Sequence, residues 1–307
     1  MVKTDQQRQT ININGHLVDL TSLNKPVWPE MGINKSQYLH YLSEAAEYML
    51  PYLARRHLTV IRYPHGISGE SFYQKNCPPY APPFVQTDTH EGINYIVCAD
   101  LATLIWLGNQ LALEFHVPFQ PLDTDKPSEI VFDLDPPHRK HFQLAVKAAM
   151  MMKDLFDKLD LKSFIKTSGN KGLQVYIPLA ENTYTYEQTR LFTAFVARFL
   201  VSEQPGLFTI ERLKKNRRGR LYIDYVQHAP GKTIIAPYSP RANPDALVAT
   251  PLYWDEVDNG LRPEQFTLPT IPSRLKEKGC PFQAFTEVKD NQPFDMILEW
   301  IQKHQKA

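Results

Sequence analysis

The sequence predicts a mixed α/β protein of the α+β class. Three observations carry this. Apolar residues recur at helical spacing over 35–53 and again over 140–158. Short runs rich in β-branched and aromatic residues stand at 58–63, 129–135, 173–179 and 220–226. From 129 onward these runs alternate with helical patterns in the order strand–helix–strand–helix–strand, which places acidic residues on sheet strands.

In chain order, Tyr38, Leu39, Leu42, Ala46, Met49, Leu50 and Leu53 share one helical face, predicting a helix over 35–53. Leu58-Thr-Val-Ile-Arg-Tyr63 reads as a strand closed by Pro64 and Gly66, and an amphipathic helix is expected over 99–113. Glu129-Ile-Val-Phe-Asp-Leu-Asp135 is a strand stopped by Pro136-Pro137, because proline cannot donate to a sheet ladder. A helix over 140–158 and a strand over 173–179 follow. Thr185-Tyr-Glu-Gln188 fits a capping box opening a helix whose buried face is Leu191, Phe192, Phe195, Val196 and Phe199. The strand Arg220-Leu-Tyr-Ile-Asp-Tyr-Val226 comes next. After 260 the chain reads as loops ending in a helix at 293–305.

The 307 residues carry 34 basic and 33 acidic side chains, a formal net charge of +1, so a polyanion-binding surface has to come from local segregation of charge. Cys77, Cys98 and Cys280 stand far apart with no CxxC pair, which indicates neither a zinc site nor a disulfide framework. Met1 to Thr10 lacks the apolar core of a signal peptide. The most apolar stretch, Ile96 to Leu113, is interrupted by Asp100 and Asn109 and is too mixed to span a bilayer. A soluble intracellular protein with no membrane partner is expected.

Asp133 and Asp135 are two apart on a strand, so both carboxylates point to the same face. Two anions side by side are costly without a cation between them, and hard divalent ions take oxygen ligands. Asp224, between Ile223 and Tyr225, is a third strand acid. Three such carboxylates on adjacent strands suit two ions about 4 Å apart, the arrangement that aligns an attacking hydroxyl with a leaving pyrophosphate. Taken alone, Asp-x-Asp reads more readily as solvated acids at a strand end, with Asp224 paired to a nearby arginine.

Lys166-Thr-Ser-Gly-Asn-Lys-Gly172 enters a strand and supplies backbone donors, the Ser168 hydroxyl and the Lys171 cation, chemistry that suits a triphosphate. The Gly-x-x-x-x-Gly-Lys-Ser/Thr spacing of a Walker loop is absent. Arg212-Leu-Lys-Lys-Asn-Arg-Arg-Gly-Arg220, which includes Arg217 and Arg220, leads directly into the Asp224 strand and is a candidate phosphate-backbone contact. Lys232 and Arg241 add cations beyond that strand. Phe72 and Tyr73 beside Gln74-Lys75 form a candidate base-stacking platform. On position alone, His116 reads as a core histidine.

Together and in this order, Val131-Phe-Asp-Leu-Asp-Pro136, Lys166-Thr-Ser-Gly-Asn-Lys-Gly-Leu173, Tyr222-Ile-Asp-Tyr-Val-Gln227 and Gly231-Lys-Thr-Ile-Ile-Ala-Pro-Tyr-Ser239 resemble the polymerase domain of bacterial ligase D, in the archaeo-eukaryotic primase superfamily. The resemblance runs from about Leu20 to Glu256. It implies a primase-polymerase fold with an RRM-like catalytic sheet packed against an N-terminal α/β module. The whole chain, 1–307, would be one catalytic domain with submodules 1–128 and 129–307. It implies that Asp133, Asp135 and Asp224 bind manganese or magnesium and do the chemistry. His116, Ser168, Lys171, Gln174, Gln227, Lys232 and Arg241 would contact a nucleoside triphosphate. Lys25 and Lys35 would grip a 5′-phosphate at a gap or double-strand break, with Phe72, Tyr73, Arg217 and Arg220 on DNA.

The implied activity is template-directed addition of ribo- or deoxynucleotides to primer 3′ ends during non-homologous end joining. An ATP-dependent DNA ligase and Ku would be partners, in a bacterial cytoplasm and on the nucleoid during repair. Two departures stand out. Gln174 occupies a position where the family usually has histidine, and Pro118 stands where it often has tryptophan. Competing readings are a primer-synthesising primase, a metal-dependent nuclease and a non-catalytic DNA-end-binding module.

Overall fold

The computed structural model describes residues 8–304. Most of the N-terminal stretch read for a signal sequence, and the last residue of the expected C-terminal helix, lie outside them. The elements in chain order are strands β1 (Arg8–Ile13), β2 (His16–Thr21), β3 (Pro26–Trp28) and β4 (Ile33–Asn34), helix α1 (Lys35–Leu53), strands β5 (Thr59–Arg62), β6 (Phe72–Gln74), β7 (Gln86–His90) and β8 (Ile93–Val97), helix α2 (Leu101–Asn109) and strand β9 (Ala112–Pro118). Then come β10 (Glu129–Asp135), α3 (Phe142–Lys158), β11 (Phe164–Thr167), β12 (Leu173–Pro178), α4 (Tyr186–Glu203), β13 (Phe208–Thr209), β14 (Leu221–Asp224), β15 (Thr233–Ile235), β16 (Pro251–Leu252), α5 (Ile271–Lys278) and α6 (Phe294–His304).

The chain divides into two compact units. The first comprises residues 1–117, 235–249 and 266–279; the second comprises 118–234, 250–265 and 280–307. The linear division expected at 128/129 thus stands beside an interleaved one, in which two later segments return to the first unit.

In the first unit, α1 begins where expected because Asn34 caps it. The Asn34 side chain accepts from the Gln37 amide at 3.0 Å, and Gln37 Oε1 accepts from the Asn34 amide at 2.9 Å. Its buried face (Tyr38, Leu39, Leu42, Ala46, Met49) packs on α2 so closely that a Cβ on Gly108 would stand 2.4 Å from Leu42 Cδ1. The second expected helix is shorter than 99–113. Asp100 caps it through the Thr103 amide at 2.8 Å, and Leu111, at φ 56°, turns the chain left-handed and starts β9. That strand lies beside β5, which in turn pairs with β6. The tail after 260, where the sequence suggests loops before a terminal helix, also holds α5.

The second unit is built on a six-stranded sheet in the order β13-β14-β10-β12-β11-β16, antiparallel except for β13 beside β14. Strand alternation decides its two faces. Phe132 points to one face and meets Phe156 of α3 (5.8 Å between ring centroids) and Phe192 of α4 (6.2 Å). Asp133 and Asp135 therefore point to the other face. This is the RRM-like plan: two helices cover one side of the sheet and leave the acids on the opposite side. The capping box of α4 forms as expected, with Gln188 N to Thr185 Oγ1 at 3.2 Å and Thr185 N to Gln188 Oε1 at 2.8 Å. Its buried face is rotated from the expected one. Phe192, Val196 and Leu200 are buried, whereas Leu191, Phe195 and Phe199 are half-buried, and Phe195 meets Trp300 of α6 at 5.8 Å. Among the described residues, no helix is long and apolar enough to cross a membrane.

Candidate active site

The second unit places a row of polar residues across four neighbouring strands. Lys166 on β11 is in register with Gln174 on β12, Gln174 with Asp133 on β10, and Asp133 with Asp224 on β14. Residues in register share a face, so all four side chains project together. Lys166 Nζ donates to Gln174 Oε1 at 2.6 Å, and Gln174 Nε2 donates to Asp133 Oδ1 at 3.1 Å. Lys166 and Gln174 are buried, at 0% and 3% exposure, so the hydrogen bond between them is not shared with bulk water.

Asp224 Oδ1 accepts from the Tyr222 hydroxyl at 3.1 Å and from the Gln227 amide at 3.0 Å. Asp135 lies opposite Tyr222 and is gripped from two sides, by Lys171 Nζ at 2.8 Å and Arg217 Nη1 at 3.1 Å. Arg217 stacks on the Tyr222 ring at 3.8 Å and donates to the carbonyls of Glu211 and Arg212 at 3.0 Å each, which fixes its fork. Burial pushes Asp133 up to about 6; the Asp224 and Asp135 charges add to this, against the Gln174 hydrogen bond and the Lys166 charge. Asp224 is also raised, chiefly by burial, although Tyr222, the Gln227 amide and Arg217 oppose it.

Two adjacent carboxyls held above their ordinary range form an oxygen donor set that a hard divalent cation suits. As the side chains stand, no group of three His, Cys, Asp or Glu among the described residues is gathered about one point. Asp135 is turned to Lys171 and Arg217.

The glycine loop is closed on itself. Ser168 Oγ accepts from the amides of Gly172 at 3.1 Å and Asn170 at 3.3 Å, so these donors point inward. A Cβ on Gly172 would stand 2.2 Å from the Leu134 carbonyl oxygen, which is why glycine is required where the loop passes β10. Lys171 also donates to the Pro136 carbonyl at 2.7 Å. Gln227 Nε2 donates to the Thr233 carbonyl at 2.8 Å, Arg220 donates to the Arg217 and Pro205 carbonyls at 3.0 and 3.3 Å, and Lys232 is exposed.

The remaining expected contacts lie in the first unit. Glu114, on β9 and 5% exposed, gathers His116 Nε2 and Arg241 Nη1 at 3.2 Å each and the Ala242 amide at 3.1 Å. Burial works to raise this carboxyl, but the His116 hydrogen bond, the Arg241 and His116 charges and the Ala242 amide outweigh it and hold it low. Lys25 Nζ donates to the Pro64 carbonyl at 2.6 Å, and Lys35 Nζ to the Thr21 carbonyl at 2.6 Å. Lys35 is 3% exposed; burial, and then the charge of Lys25, bring its ammonium down to about 8. Phe72 and Tyr73 are 45% and 72% exposed, and the Arg62 guanidinium lies 5.3 Å from the Phe72 ring centroid.

A family model described as "LigD, primase-polymerase domain" matches residues 34–282. The chain belongs to the LigD primase-polymerase family. It is 50% identical over 286 residues to the bifunctional non-homologous end joining protein LigD of Bacillus subtilis (strain 168), covering 93% of this chain and 47% of that protein. It is 33% identical to the multifunctional LigD of Mycolicibacterium smegmatis, covering 89% of this chain and 37% of that one. The chain thus spans about half or less of the length of these relatives. Among solved structures, the polymerase domain from Mycobacterium tuberculosis ligase D in complex with DNA matches with a TM-score of 0.81 at 31% identity, over 87% of this chain and 96% of that chain.

As a LigD primase-polymerase, the chain is a nucleotidyltransferase. Three further side chains touch the candidate residues of their own unit: Lys166 and Tyr222 in the second, Glu114 in the first. Lys166 had a usable signal, because it and Gln174 flank the 168–172 loop symmetrically and so face each other across any hairpin built there. Glu114 and Tyr222 had none, since their roles depend on contacts with Arg241 and Arg217.

Proposed function

We propose that this domain extends primer 3′ ends on a template at gaps and double-strand breaks carrying a 5′-phosphate, as the polymerase step of non-homologous end joining. The observation that carries it is the register of Asp133 against Asp224 with Asp135 two residues on, all on the sheet face that the helices leave uncovered. Asp133, Asp135 and Asp224 would hold the divalent ions, manganese or magnesium. When bound, such ions activate a primer hydroxyl and neutralise the departing pyrophosphate.

The chain's own residues do the rest. Gln174, held by Lys166, orients Asp133. Tyr222 and the Gln227 amide orient Asp224, while Lys171 and Arg217 hold Asp135. Lys171, Ser168, Lys232 and Gln227, with His116 and Arg241, serve the incoming nucleoside triphosphate, and Gln174 takes part through Asp133. Lys25 and Lys35 take the 5′-phosphate. Each already donates to a backbone carbonyl, and these neutral acceptors leave the charge uncompensated. Phe72 and Tyr73 stack on bases, with Arg217 and Arg220 near the strand backbone.

In this reading the two units form one catalytic domain, working in the bacterial cytoplasm on the nucleoid with an ATP-dependent ligase and Ku. Support comes from the DNA complex named for the mycobacterial structure and from the end-joining names of the relatives. The test is primer extension on gapped, 5′-phosphorylated DNA with manganese or magnesium and each ribo- and deoxynucleoside triphosphate. Extension by wild type and its loss in Asp224→Ala, with DNA binding retained, is the expected result. Extension by Asp224→Ala would sink the triad; cleavage of the labelled primer in place of extension would sink the polymerase reading.

A further inference from the structure

The second unit also carries a cavity of about 260 Å³ lined chiefly by Arg139, Lys140, Gln143, Arg262 and Glu264, none of which belongs to the site above. Three cations face one carboxylate there, in a chain whose overall formal charge is only +1. The ion pair from Arg139 Nη1 to Glu264 Oε1, at 3.3 Å, joins side chains that are 32% and 48% exposed. Surface pairs of this kind are weak and exchange readily for a better anion.

Arg262 donates to the carbonyls of Asn259 and Leu261 at 2.7 and 2.8 Å. These acceptors fix its guanidinium without cancelling its charge. Lys140 is exposed. The cavity also takes in the first turn of α3, a 17-residue helix whose N-cap, His141, makes no side-chain capping bond. The positive end of the helix adds to the same field. Gln143 Nε2 ties that turn to the Leu261 carbonyl at 3.0 Å, so the two walls are braced against each other.

The position matters as much as the charge. Arg139 follows Asp135 by four residues, through Pro136 and Pro137, whose carbonyls Lys171 Nζ meets at 2.7 and 3.4 Å. A stiff, anchored segment therefore runs from the catalytic strand to the cationic cavity. We propose that this cavity is a phosphate subsite in which Arg139, Lys140 and Arg262 hold a backbone phosphodiester of the nucleic-acid substrate as it passes the catalytic strand. It rests on the nucleic-acid reading above and adds a contact that reading lacks.

The test is equilibrium binding of a fluorescein-labelled gapped duplex across a potassium chloride series, with no nucleotide present. Wild type is compared with Lys140→Ala/Arg262→Ala and with Glu264→Gln, and thermal melts monitor folding. Each lost phosphate contact lowers the log–log salt slope by about 0.9 for duplex DNA. The double variant is expected to lose about one to two units of slope and roughly tenfold or more in affinity at low salt. Glu264→Gln, which removes only the competing carboxylate at an exposed position, is expected to tighten binding. ATP and sodium phosphate titrations are expected to be the same in all three proteins.

An unchanged salt slope in a folded double variant overturns the proposal. So does retained DNA binding with weakened ATP or phosphate binding, which would make the cavity a site for free phosphate. Should the double variant unfold, Lys140→Ala and Glu264→Gln decide the matter by moving affinity in opposite directions or not at all. Because binding is read without turnover, a wild type that binds DNA but adds no nucleotide fails the polymerase reading alone.

Discussion

Gln174 donates to Asp133 at 3.1 Å while its other end is held by the buried Lys166 ammonium at 2.6 Å. Histidine is what the resemblance leads one to expect at this position; here a glutamine stands there, with a buried cation one hydrogen bond behind it. Gln174→Leu removes the acceptor that stands 2.6 Å from that buried ammonium, a loss of about 1.5–3 kcal/mol. Chemical denaturation should show this loss, and the Gln174→Leu/Lys166→Met double variant should cost less than the two single changes summed, by about 0.5–3 kcal/mol. Additive costs would mean that the two side chains act independently.

Gly172 is predicted to be irreplaceable for a backbone reason. The Cβ of Gly172→Ala would meet the Leu134 carbonyl at 2.2 Å, so β10 or the loop has to move. A stability loss of about 1–3 kcal/mol is expected, the range for overpacking against a fixed neighbour, together with lost extension. A folded, fully active Gly172→Ala protein would show that the loop yields freely.

Lys35 supplies a pH signature. Its ammonium is brought down to about 8 by burial and by Lys25, against an ordinary 10.5. The folded state therefore binds this proton less well than the unfolded chain. The charged form costs stability below about 8, and that cost is relieved as pH rises from there toward 10.5. Lys35→Met should accordingly stabilise the protein at pH 7 and flatten its alkaline stability profile. Because a phosphate needs the charged form, the preference for 5′-phosphorylated over 5′-hydroxyl gapped DNA should shrink as pH rises through about 8 in wild type. Lys35→Met should show little preference at any pH. A preference constant from pH 7 to 9 would remove Lys35 from phosphate recognition.

Tyr73, at 72% exposure, is free to stack on a base, and Phe72 is steadied by Arg62. Tyr73→Ala should weaken binding of DNA with an unpaired template base by about 1–3 kcal/mol and leave thermal stability nearly unchanged. Equal weakening on fully paired DNA would make it a general contact.

Much of this was legible in the sequence. The bounds of α1 were readable because its apolar face recurs at helical spacing from 35 to 53, and the structure adds the Asn34–Gln37 capping box that fixes its start. Those of β10 were readable because Pro136-Pro137 stops the ladder after Asp135. The acids could be placed on one face by period two alone. What was not legible depended on which strand lies beside which. The helix expected to run to 113 gives way at Leu111, whose left-handed backbone leaves no trace in an apolar run. The glycine loop suggests backbone amides and a Ser168 hydroxyl offered to a ligand, whereas that hydroxyl holds the Asn170 and Gly172 amides inward. His116 looked like a core histidine on position alone, and only the contact of Arg241 with Glu114 makes it part of a charged cluster.

The interleaved division of the chain bears on how it is made. The first unit includes residues 235–249 and 266–279, so a ribosome must release most of the polypeptide before that unit has all its parts. Within it, the Tyr41 hydroxyl donates to the Tyr238 carbonyl at 2.6 Å, a contact that waits for nearly 200 further residues of translation. The earlier residues emerge with apolar surface that nothing yet covers, the condition under which nascent chains need chaperones. Cutting the gene between the two halves of the linear sequence would therefore yield no complete first unit.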